Sequence, residues 1–344
     1  MAITIKDIAR RAGVSHSTVS RALRDDPAIP PATTQRLKRL ARRLGYVPSA
    51  MARGLKTSHS GVLGVVVSNI ADPFLGEVVR GIEDGVLDAG YSLFLADSHR
   101  DAERAAAILR ALTERRVEGV IICSSAITPA QLKALGQFGL PLVLVNNLVA
   151  VPPARAYGLA IDDLHGGRLL TEHLLSLGHR RIAYLGNALG GQASLDRRAG
   201  YRAALAAAGL APHPAWELTG PTGRPEGGVA GAEAFLALEP RPTALFCFND
   251  LMALGALQRL KQAGLRLPQA VSVGGFDDIF LAAYTDPPLT TIAQPKYQLG
   301  RDAAALLCSL LSSGAKRSPT APRIRSLPGA LVVRGSTAPP PGAP

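Results

Sequence analysis

The 344-residue sequence predicts an α/β protein with a small all-helical unit at its N-terminus, and three observations support this fold class. Positive charge is concentrated: residues 1–60 carry three Lys, nine Arg, three Asp and no Glu, a net charge of +9 out of +12 for the whole chain. From residue 61 onward, short apolar strands alternate with helix-length segments, a pattern typical of parallel sheets covered on both faces. With 47% hydrophobic residues the chain can bury a sizeable core, and its length suits two or three domains.

The composition also argues against several classes of protein. No apolar run approaches the roughly 20 residues of a membrane helix, and the N-terminus lacks the apolar region of a secretory signal. The three cysteines, Cys123, Cys247 and Cys308, are too few and too far apart for a disulfide framework or a zinc site. We therefore expect a protein of the reducing cytoplasm, without cofactor, metal ion or membrane contact. The basic segment predicts a polyanionic partner, nucleic acid before membrane; a solvated basic face is the alternative interpretation.

Three short helices are predicted in the basic segment. Thr4 can cap the first helix, which Gly13 ends, and Ser15 can cap a second helix directly afterwards. Two short helices joined by a tight turn form a helix-turn-helix, whose second helix enters the major groove of DNA. The second helix turns Val19, Ala22 and Leu23 inward and leaves these residues to face outward: His16, Ser17, Ser20 and Arg21. A third helix has leucines at helical spacing and ends at Gly45; Pro30 stands before it and cannot cap it with a side chain.

The body of the chain predicts two sheets. Strands are predicted at 61–67, 91–97, 119–124, 141–146, 157–162, 181–187, 243–249 and 271–277. Helices are predicted at 76–89, 101–115, 166–177, 197–208 and 251–263. Polar residues follow several of the strands: Asp72, Asn146, Asp162, Asn249 and Asp277. Because open parallel sheets bind ligands at the carboxyl ends of their strands, these residues predict a ligand crevice.

Two sets of sequence strings resemble one known family. The first runs I-x-D-I-A-x-x-A-G-V-S, T-V-S-R-x-L, L-G-Y-x-P and A-x-x-L over residues 5–55. The second comprises D-P-F at 72–74, L-G-H-R-R-I-A at 177–183, F-N-D at 248–250, G-F-D-D at 275–278 and L-T-T-I-x-Q-P at 289–295. Together they resemble the lactose-repressor (LacI-type) family of bacterial transcription regulators over roughly residues 1–335.

The resemblance implies a domain plan. It predicts a DNA-binding headpiece at 1–47, a hinge helix or linker at 48–60, and a two-lobed core at 61–335 that is like a periplasmic binding protein. Lobe 1 would hold about 61–158 and 289–318, and lobe 2 about 159–288 and 319–335. Residues 336–344 are expected to be a disordered Pro-rich tail. Because this tail has no heptad leucines, a dimer is expected rather than a tetramer.

The resemblance also implies which residues contact DNA. His16 and Ser17 match positions where the family varies its base-reading side chains, and Arg21 matches a third contact position. The full expected set is Thr4, Ser15, His16, Ser17, Thr18, Ser20, Arg21, Ala52 and Leu55. In the hinge segment, Leu55 would wedge into the minor groove from a helix that orders on DNA. A flexible linker is the alternative, because so short a helix is marginal by itself in water.

For the crevice between the lobes, the resemblance implies a small polar effector, a sugar or sugar derivative. The expected contacts are Phe74, Asn146, Arg197, Asn249 and Asp277. Ordinary structural roles are the alternative: a solvated helix for Arg197, and helix caps for Asn249 and Asp277. Two features depart from the family pattern. Asn146-Asn147 replaces a pair that an Asp often leads, and the loop at 219–229 has no aromatic residue to stack on a sugar.

Catalysis has no candidate residues in this sequence. Asp162-Asp163 followed by Gly166-Gly167 faintly resembles a phosphoribosyltransferase loop, but His165 and Arg168 interrupt the match. No phosphate-binding glycine motif and no G-x-S-x-G elbow is present. We therefore expect a transcriptional regulator, most often a repressor in this family, that binds a palindromic operator in double-stranded DNA as a homodimer. The alternatives are a solute-binding protein or a sugar-modifying enzyme built on the same body.

Overall fold

The computed structural model describes residues 3–46, 59–124, 129–146, 156–312 and 324–342. They belong to two compact units, Met1–Gly61 and Val62–Pro344. The segment 48–57, for which a hinge helix or a linker is predicted, lies outside the described residues, and so do Ala52 and Leu55. None of the helices in the described ranges is long and apolar enough to cross a membrane.

The N-terminal unit consists of the three predicted helices: α1 (Ile5–Ala12), α2 (His16–Ala22) and α3 (Pro31–Arg43). They pack around a small core that includes Ile8, Val19 and Leu37, all fully buried. Thr4 and Asp7 form a capping box at α1, and Gly13 ends that helix in the left-handed region at φ 67°. Pro30 makes no side-chain cap at α3, as predicted. The short sequence between Gly13 and Ser15 therefore sets α2 directly against α1.

The second unit contains the two predicted parallel sheets. The strands of the first sheet are β1 (Val62–Val67), β2 (Ser92–Asp97), β3 (Val120–Cys123), β4 (Leu142–Val145), β5 (Ala156–Ile161) and β11 (Ile324–Leu327). The strands of the second are β6 (Ile182–Asn187), β7 (Glu217–Gly220), β8 (Ala244–Cys247) and β9 (Ser272–Gly274). The first sheet has the order β11-β5-β4-β3-β1-β2, and the second has the order β7-β6-β8-β9. An antiparallel pair joins β10 (Thr291–Ala293) to β12 (Ala330–Val332).

Helices cover both sheets. They are α4 (Pro73–Asp88), α5 (Ala102–Glu114), α6 (Pro129–Gly136), α7 (Asp163–Ser176), α8 (Gly191–Ala207), α9 (Pro225–Leu236), α10 (Asp250–Gln262) and α11 (Lys296–Ser312). The segment 219–229, described above as a loop, is therefore helical from Pro225 onward. The chain passes between the lobes three times, after β5, after β10 and after β11.

The predicted lobe boundaries need two corrections. Strand β5 pairs with β4 from Ala156 to Leu159 and with β11 from Gly158 to Ile161, so the first lobe extends to Ile161 instead of ending near residue 158. Strand β11 pairs in parallel with β5, which places Ile324–Leu327 in the first lobe rather than the second.

Helices α7 and α8 cross with their backbones in contact. A Cβ atom on Gly200 would lie 2.1 Å from the carbonyl oxygen of Leu164, and one on Gly167 would lie 2.4 Å from that of Arg197. Such distances exclude any side chain at either position unless the helices separate. Gly167, the second glycine after Asp162-Asp163, thus serves helix packing, and the contact brings the start of α7 against the Arg197 turn of α8.

The end of the chain is ordered against the second sheet, so the prediction of a disordered tail is wrong for residues 336–342. Ser336 is fully buried. Its carbonyl accepts from the Val273 backbone N–H (2.8 Å), and its hydroxyl donates to the Val273 carbonyl. Ala338 exchanges hydrogen bonds with the Ser272 hydroxyl, and its carbonyl accepts from His179 Nε2 (2.9 Å). Composition misled the prediction because the open edge of β9 offers the tail a backbone partner.

Candidate functional site

The outer surface of α2 presents the first group of predicted side chains. His16, Ser17 and Arg21 are exposed, whereas Thr18 and Ser20 are half-buried. Arg21 keeps 57% of its side chain exposed, with its Nε 3.8 Å from a carboxylate oxygen of Asp26. Because this ion pair is long and exposed, Arg21 is available to another partner. The geometry suits a side chain that exchanges an internal acid for a base edge or a phosphate.

Two other predicted DNA contacts have a structural duty. The Ser15 hydroxyl accepts from the Thr18 backbone N–H (3.0 Å), which caps α2. It also lies within hydrogen-bonding distance of the Ser17 and Thr18 hydroxyls, at 2.7 and 2.8 Å. The Thr4 hydroxyl accepts from the Asp7 N–H (3.3 Å) and caps α1. These residues build the helix starts, and their hydroxyls remain at the surface.

A cleft at the carboxyl ends of the strands gathers the second group. It encloses about 560 Å³ of space when open solvent at its mouth is included. Phe74 and Asn146 come from the first lobe, and Arg197, Asn249 and Asp277 come from the second. All five residues predicted to contact an effector therefore line one cleft. Asn147, the other half of the predicted pair, lies outside the described residues.

Arg197 lines this cleft, and its guanidinium makes hydrogen bonds and ion pairs with other residues of the protein. Its side chain is 5% exposed, and Nε donates to Asp163 Oδ1 at 2.8 Å. Nη1 donates to the Phe248 carbonyl at 2.6 Å and lies 3.6 Å from Asp277 Oδ1. The guanidinium also lies 3.8 Å from the centre of the Phe276 ring and 4.5 Å from that of Phe248. The alternative of a solvated helix position is thus wrong for Arg197.

The charges around Arg197 perturb one another. Burial lowers the pKa of Arg197, but Asp163 and Asp277 outweigh it and raise that pKa overall. Burial raises the pKa of Asp163 even though Arg197 opposes the shift. Burial likewise raises the pKa of Asp277 well above its ordinary value. The arrangement is a buried cation shared between two carboxylates that are themselves costly to ionise.

Asn249 and Asp277 occupy structural positions as well as lining the cleft. Asn249 caps α10, since its Oδ1 accepts from the Met252 N–H and its Nδ2 donates to the Gly223 carbonyl, both at 2.9 Å. Asp277 adopts a φ of 120° and accepts a hydrogen bond from Gln294 Nε2. The capping alternative therefore holds for Asn249, and a helix cap is not the role of Asp277.

Several cleft residues were not predicted as contacts. Asp72, known from the sequence only as a polar strand end, caps α4 through a hydrogen bond from the Phe74 N–H (3.0 Å). Burial raises its pKa. Asn187 ends β6 and could have been found by the strand-end rule. Ser68, Arg100 and Gln294 also line the cleft. Gln294 lies in the L-T-T-I-x-Q-P string directly after β10. A strand of three residues is too short to indicate which way the next side chain points.

A pH effect follows from Asp250, which lies under the cleft and is fully buried. Its carboxylate accepts from the Thr291 hydroxyl (2.5 Å) and the Ile279 N–H (2.8 Å). Burial raises its pKa to about 6, against the lowering effect of these bonds. A raised folded-state pKa means that the native protein holds the proton more tightly than the unfolded chain does. Its stabilising contribution is therefore present at acidic pH and is lost as pH rises through about 6.

We expect Asp250→Asn to gain stability relative to the parent protein by about 2 kcal/mol between pH 4 and pH 8. Asparagine stays neutral and can keep both bonds by accepting from Ile279 and donating to Thr291. Urea unfolding followed by the fluorescence of the single tryptophan, Trp216, measures this difference. Asp286→Asn, at a carboxylate with 94% of its side chain exposed, is the control and should give a flat difference. A flat profile for Asp250→Asn would contradict the expectation.

The described residues contain no cluster of three or more His, Cys, Asp or Glu side chains arranged to hold a metal ion. Within the same ranges, burial raises the pKa of Cys123, to about 12, and that of Cys247. These two thiols are buried among apolar side chains, where a thiolate is disfavoured.

Comparisons with known proteins match both the N-terminal helices and the core. Residues 4–49 match the model of bacterial regulatory proteins of the lacI family, and residues 171–337 match a periplasmic binding protein-like domain. The HTH-type transcriptional repressor PurR of Vibrio campbellii is 37% identical over 305 residues, covering 88% of this chain and 90% of the relative. A lac repressor dimer bound to operator and the anti-inducer ONPF superposes with a TM-score of 0.87, at 28% identity, over 98% of this chain and 100% of that one.

A second solved structure, the complex of the transcriptional regulator CelR with cellobiose, is 31% identical to this chain. It covers 97% of this chain and 99% of its own, with a TM-score of 0.74. The sequence motifs, the helical headpiece and the two-lobed core thus all indicate the same family. The chain belongs to the LacI family of bacterial regulatory proteins.

Proposed function

We propose that this protein is a transcriptional repressor that binds a palindromic operator as a homodimer and responds to a small polar effector in the cleft. The observation that carries the proposal is the exposed face of α2, with His16, Ser17 and Arg21 outward on a compact three-helix unit. Arginine can bond guanine through two parallel hydrogen bonds, and His and Ser can donate to base edges. A segment with a net charge of +9 supplies the attraction to phosphates.

The relatives support the same assignment. The curated relative from Vibrio campbellii is named a repressor, and the lac repressor structure is a dimer bound to operator. The CelR structure holds cellobiose, and a LacI-family regulator from Enterococcus faecium holds ribose. A sugar or sugar derivative is accordingly the effector class we propose here. Catalysis is not part of the proposal, and a repressor of this kind would act on chromosomal DNA in the cytoplasm.

Five cleft residues are proposed as effector contacts: Phe74, Asn146, Arg197, Asn249 and Asp277. Since Arg197 and Asn249 have internal partners, they would act mainly by holding neighbouring residues of the cleft in fixed positions. Regulation requires that the effector bind the DNA-competent and DNA-incompetent states with different affinity.

Selection of bound sequences from a random DNA pool tests the proposal. We expect enrichment of a palindrome whose two halves each bind one headpiece, and an affinity that falls steeply with salt because counterions are released. The selected operator then serves in titrations with and without candidate sugars. Enrichment of no sequence over the pool, with a correctly folded protein, would exclude the operator-binding part of the proposal.

Arg21→Ala should remove discrimination at one base pair in each half-site, by about 1–3 kcal/mol. The measurement is the affinity for the selected operator against single-base variants, by fluorescence anisotropy at fixed salt. Arg10→Ala is the matched control, because Arg10 is an arginine of α1 with 80% of its side chain exposed. We expect this control to keep the discrimination. An equal loss on every sequence in Arg21→Ala would mean that Arg21 contacts phosphate alone.

A further inference from the structure

Two amide oxygens of cleft residues accept no hydrogen bond from any of the residues that the structure describes. They are Asn146 Oδ1 and Gln294 Oε1, both buried. Gln294 is 5% exposed as a whole, and both residues line the cleft. A buried acceptor without a partner costs about 1–3 kcal/mol. Among the described residues, these two positions are therefore where the cleft has unused capacity to accept hydrogen bonds.

The orientation of the Gln294 amide follows from its neighbour. Its Nε2 donates to Asp277 Oδ1, and the same oxygen lies 3.6 Å from Arg197 Nη1. Because this oxygen faces two donors it acts as an acceptor, which keeps the Gln294 nitrogen on its side and turns Oε1 away from it. Asn146 follows β4 at a φ of 58°, with its N–H bonded to the Leu159 carbonyl at 2.8 Å. The Gln294 acceptor is thus held by the bond of its own amide, and the backbone of Asn146 is held by its bond to Leu159.

The charges of the cleft disfavour an anion. Arg197 is the buried cation of the described lining, and Asp163 and Asp277 already neutralise it. Asp72 adds another carboxylate, while Arg100 is exposed. A phosphate or carboxylate entering the cleft would meet Asp72 and Asp277 and would have to displace internal partners of Arg197. An uncharged molecule with hydrogen-bond donors meets four acceptor groups instead, the amide oxygens of Asn146 and Gln294 and the carboxylates of Asp72 and Asp277.

We infer that Asn146 and Gln294 are specificity-determining residues that accept hydrogen bonds from the O–H or N–H groups of an uncharged effector. The cleft thereby selects neutral, donor-rich molecules over their phosphorylated or carboxylated counterparts. Asp277 acts on this selection as a positioning residue for Gln294. The inference rests on the proposed function, since it assigns the chemical class of the effector for that site.

Matched pairs of probes test the inference on the full chain. The pairs are D-ribose with D-ribose 5-phosphate, D-glucose with D-glucose 6-phosphate, and guanosine with guanosine 5′-monophosphate. Thermal stabilisation finds the probes that bind, and calorimetric titration measures their affinity. We expect the neutral member of a binding pair to bind at least ten-fold more tightly than the anionic member.

Two variants then locate the acceptors. Gln294→Met removes the amide, and Asn146→Gly removes the other acceptor at a backbone conformation that glycine adopts freely. Each should weaken the best neutral probe roughly ten-fold. Gln298→Met makes the same chemical change at an exposed glutamine of α11 and should bind like the parent protein. Melting without probe verifies that each variant is folded.

Tighter binding of the anionic members, or unchanged affinity in both folded variants, would overturn the inference. A protein that binds its operator but none of the six probes would overturn effector control in the form proposed, and this inference with it. A protein that binds a neutral probe through Asn146 and Gln294 but enriches no operator would contradict the DNA-binding proposal alone. The two failures are thus distinguishable.

Discussion

Arg197→Ala is expected to lower the free energy of unfolding of the core by about 3–5 kcal/mol, because it strands buried charge. Removing the guanidinium leaves the Asp163 and Asp277 carboxylates without their shared cation, and both are nearly inaccessible to water. It also removes the donor to the Phe248 carbonyl and the contacts of the guanidinium with the rings of Phe248 and Phe276. Urea unfolding followed by Trp216 fluorescence measures the loss.

Arg198→Ala is the matched control for this prediction. Arg198 is the next residue of α8, its side chain is 38% exposed, and its nearest carboxylate, Glu217, is 4.0 Å away. We expect a change within about 0.5 kcal/mol, typical of a surface substitution. Combining Arg197→Ala with Asp163→Asn should recover part of the loss, since one stranded charge disappears. Arg197→Ala melting like the parent protein would show that the ion pairs contribute nothing to stability.

Gly200→Ala should lower the free energy of unfolding of the second lobe by at least about 3 kcal/mol. This is the upper end of the usual cost of overpacking a protein core. The new Cβ would lie 2.1 Å from the Leu164 carbonyl oxygen and 2.7 Å from the Arg168 nitrogen, so two helix backbones must separate. Separation would also pull Arg197 away from Asp163, because the first residue sits on α8 and the second on α7. The expected result is a lower urea midpoint and weaker effector binding together.

Gly76→Ala is the control, because here the same substitution should not lower the stability of the protein. Gly76 lies in α4, and a Cβ there would meet nothing within 4 Å. Alanine is the better helix former by up to about 1 kcal/mol, so this variant should be unchanged or more stable. The same substitution therefore stabilises one helix and disrupts the other. If both glycine variants unfold at the same urea concentration, the close approach of α7 and α8 is not a constraint on the fold.

The polar residues after the strands predicted the cleft well, for a physical reason. Asn146, Asn249 and Asp277 follow buried strands of the two parallel sheets, and parallel sheets bind ligands at the carboxyl ends of their strands. Spacing could not reveal that Arg197 would be buried, because its partner Asp163 lies 34 residues earlier and meets it only where α7 crosses α8. A single arginine on a helix reads as solvated until its partners are known.

Gln294 escaped prediction because its surroundings carry no periodic signal. It follows the three-residue strand β10, which crosses between the lobes, and its partner Asp277 stands at a left-handed backbone position. The six-stranded first sheet was predicted through β5, whereas β11 was not predicted at all. The reason is that β11, IRSL, has only two apolar residues at its ends and is exposed at its middle two.

The tail along β9 has a consequence for association between chains. Without Ser336 and Ala338, the edge of β9 would present unpaired backbone groups at Val273 and an unpaired hydroxyl at Ser272. Open strand edges of this kind recruit strands from other molecules and begin aggregation. The tail closes that edge with Ser336 and Ala338, and it continues as Pro339, Pro340 and Pro341, which have no N–H to offer a further strand. The proline-rich segment thus pairs with the edge of β9 and, because its prolines lack N–H groups, offers few donors to a strand from another molecule.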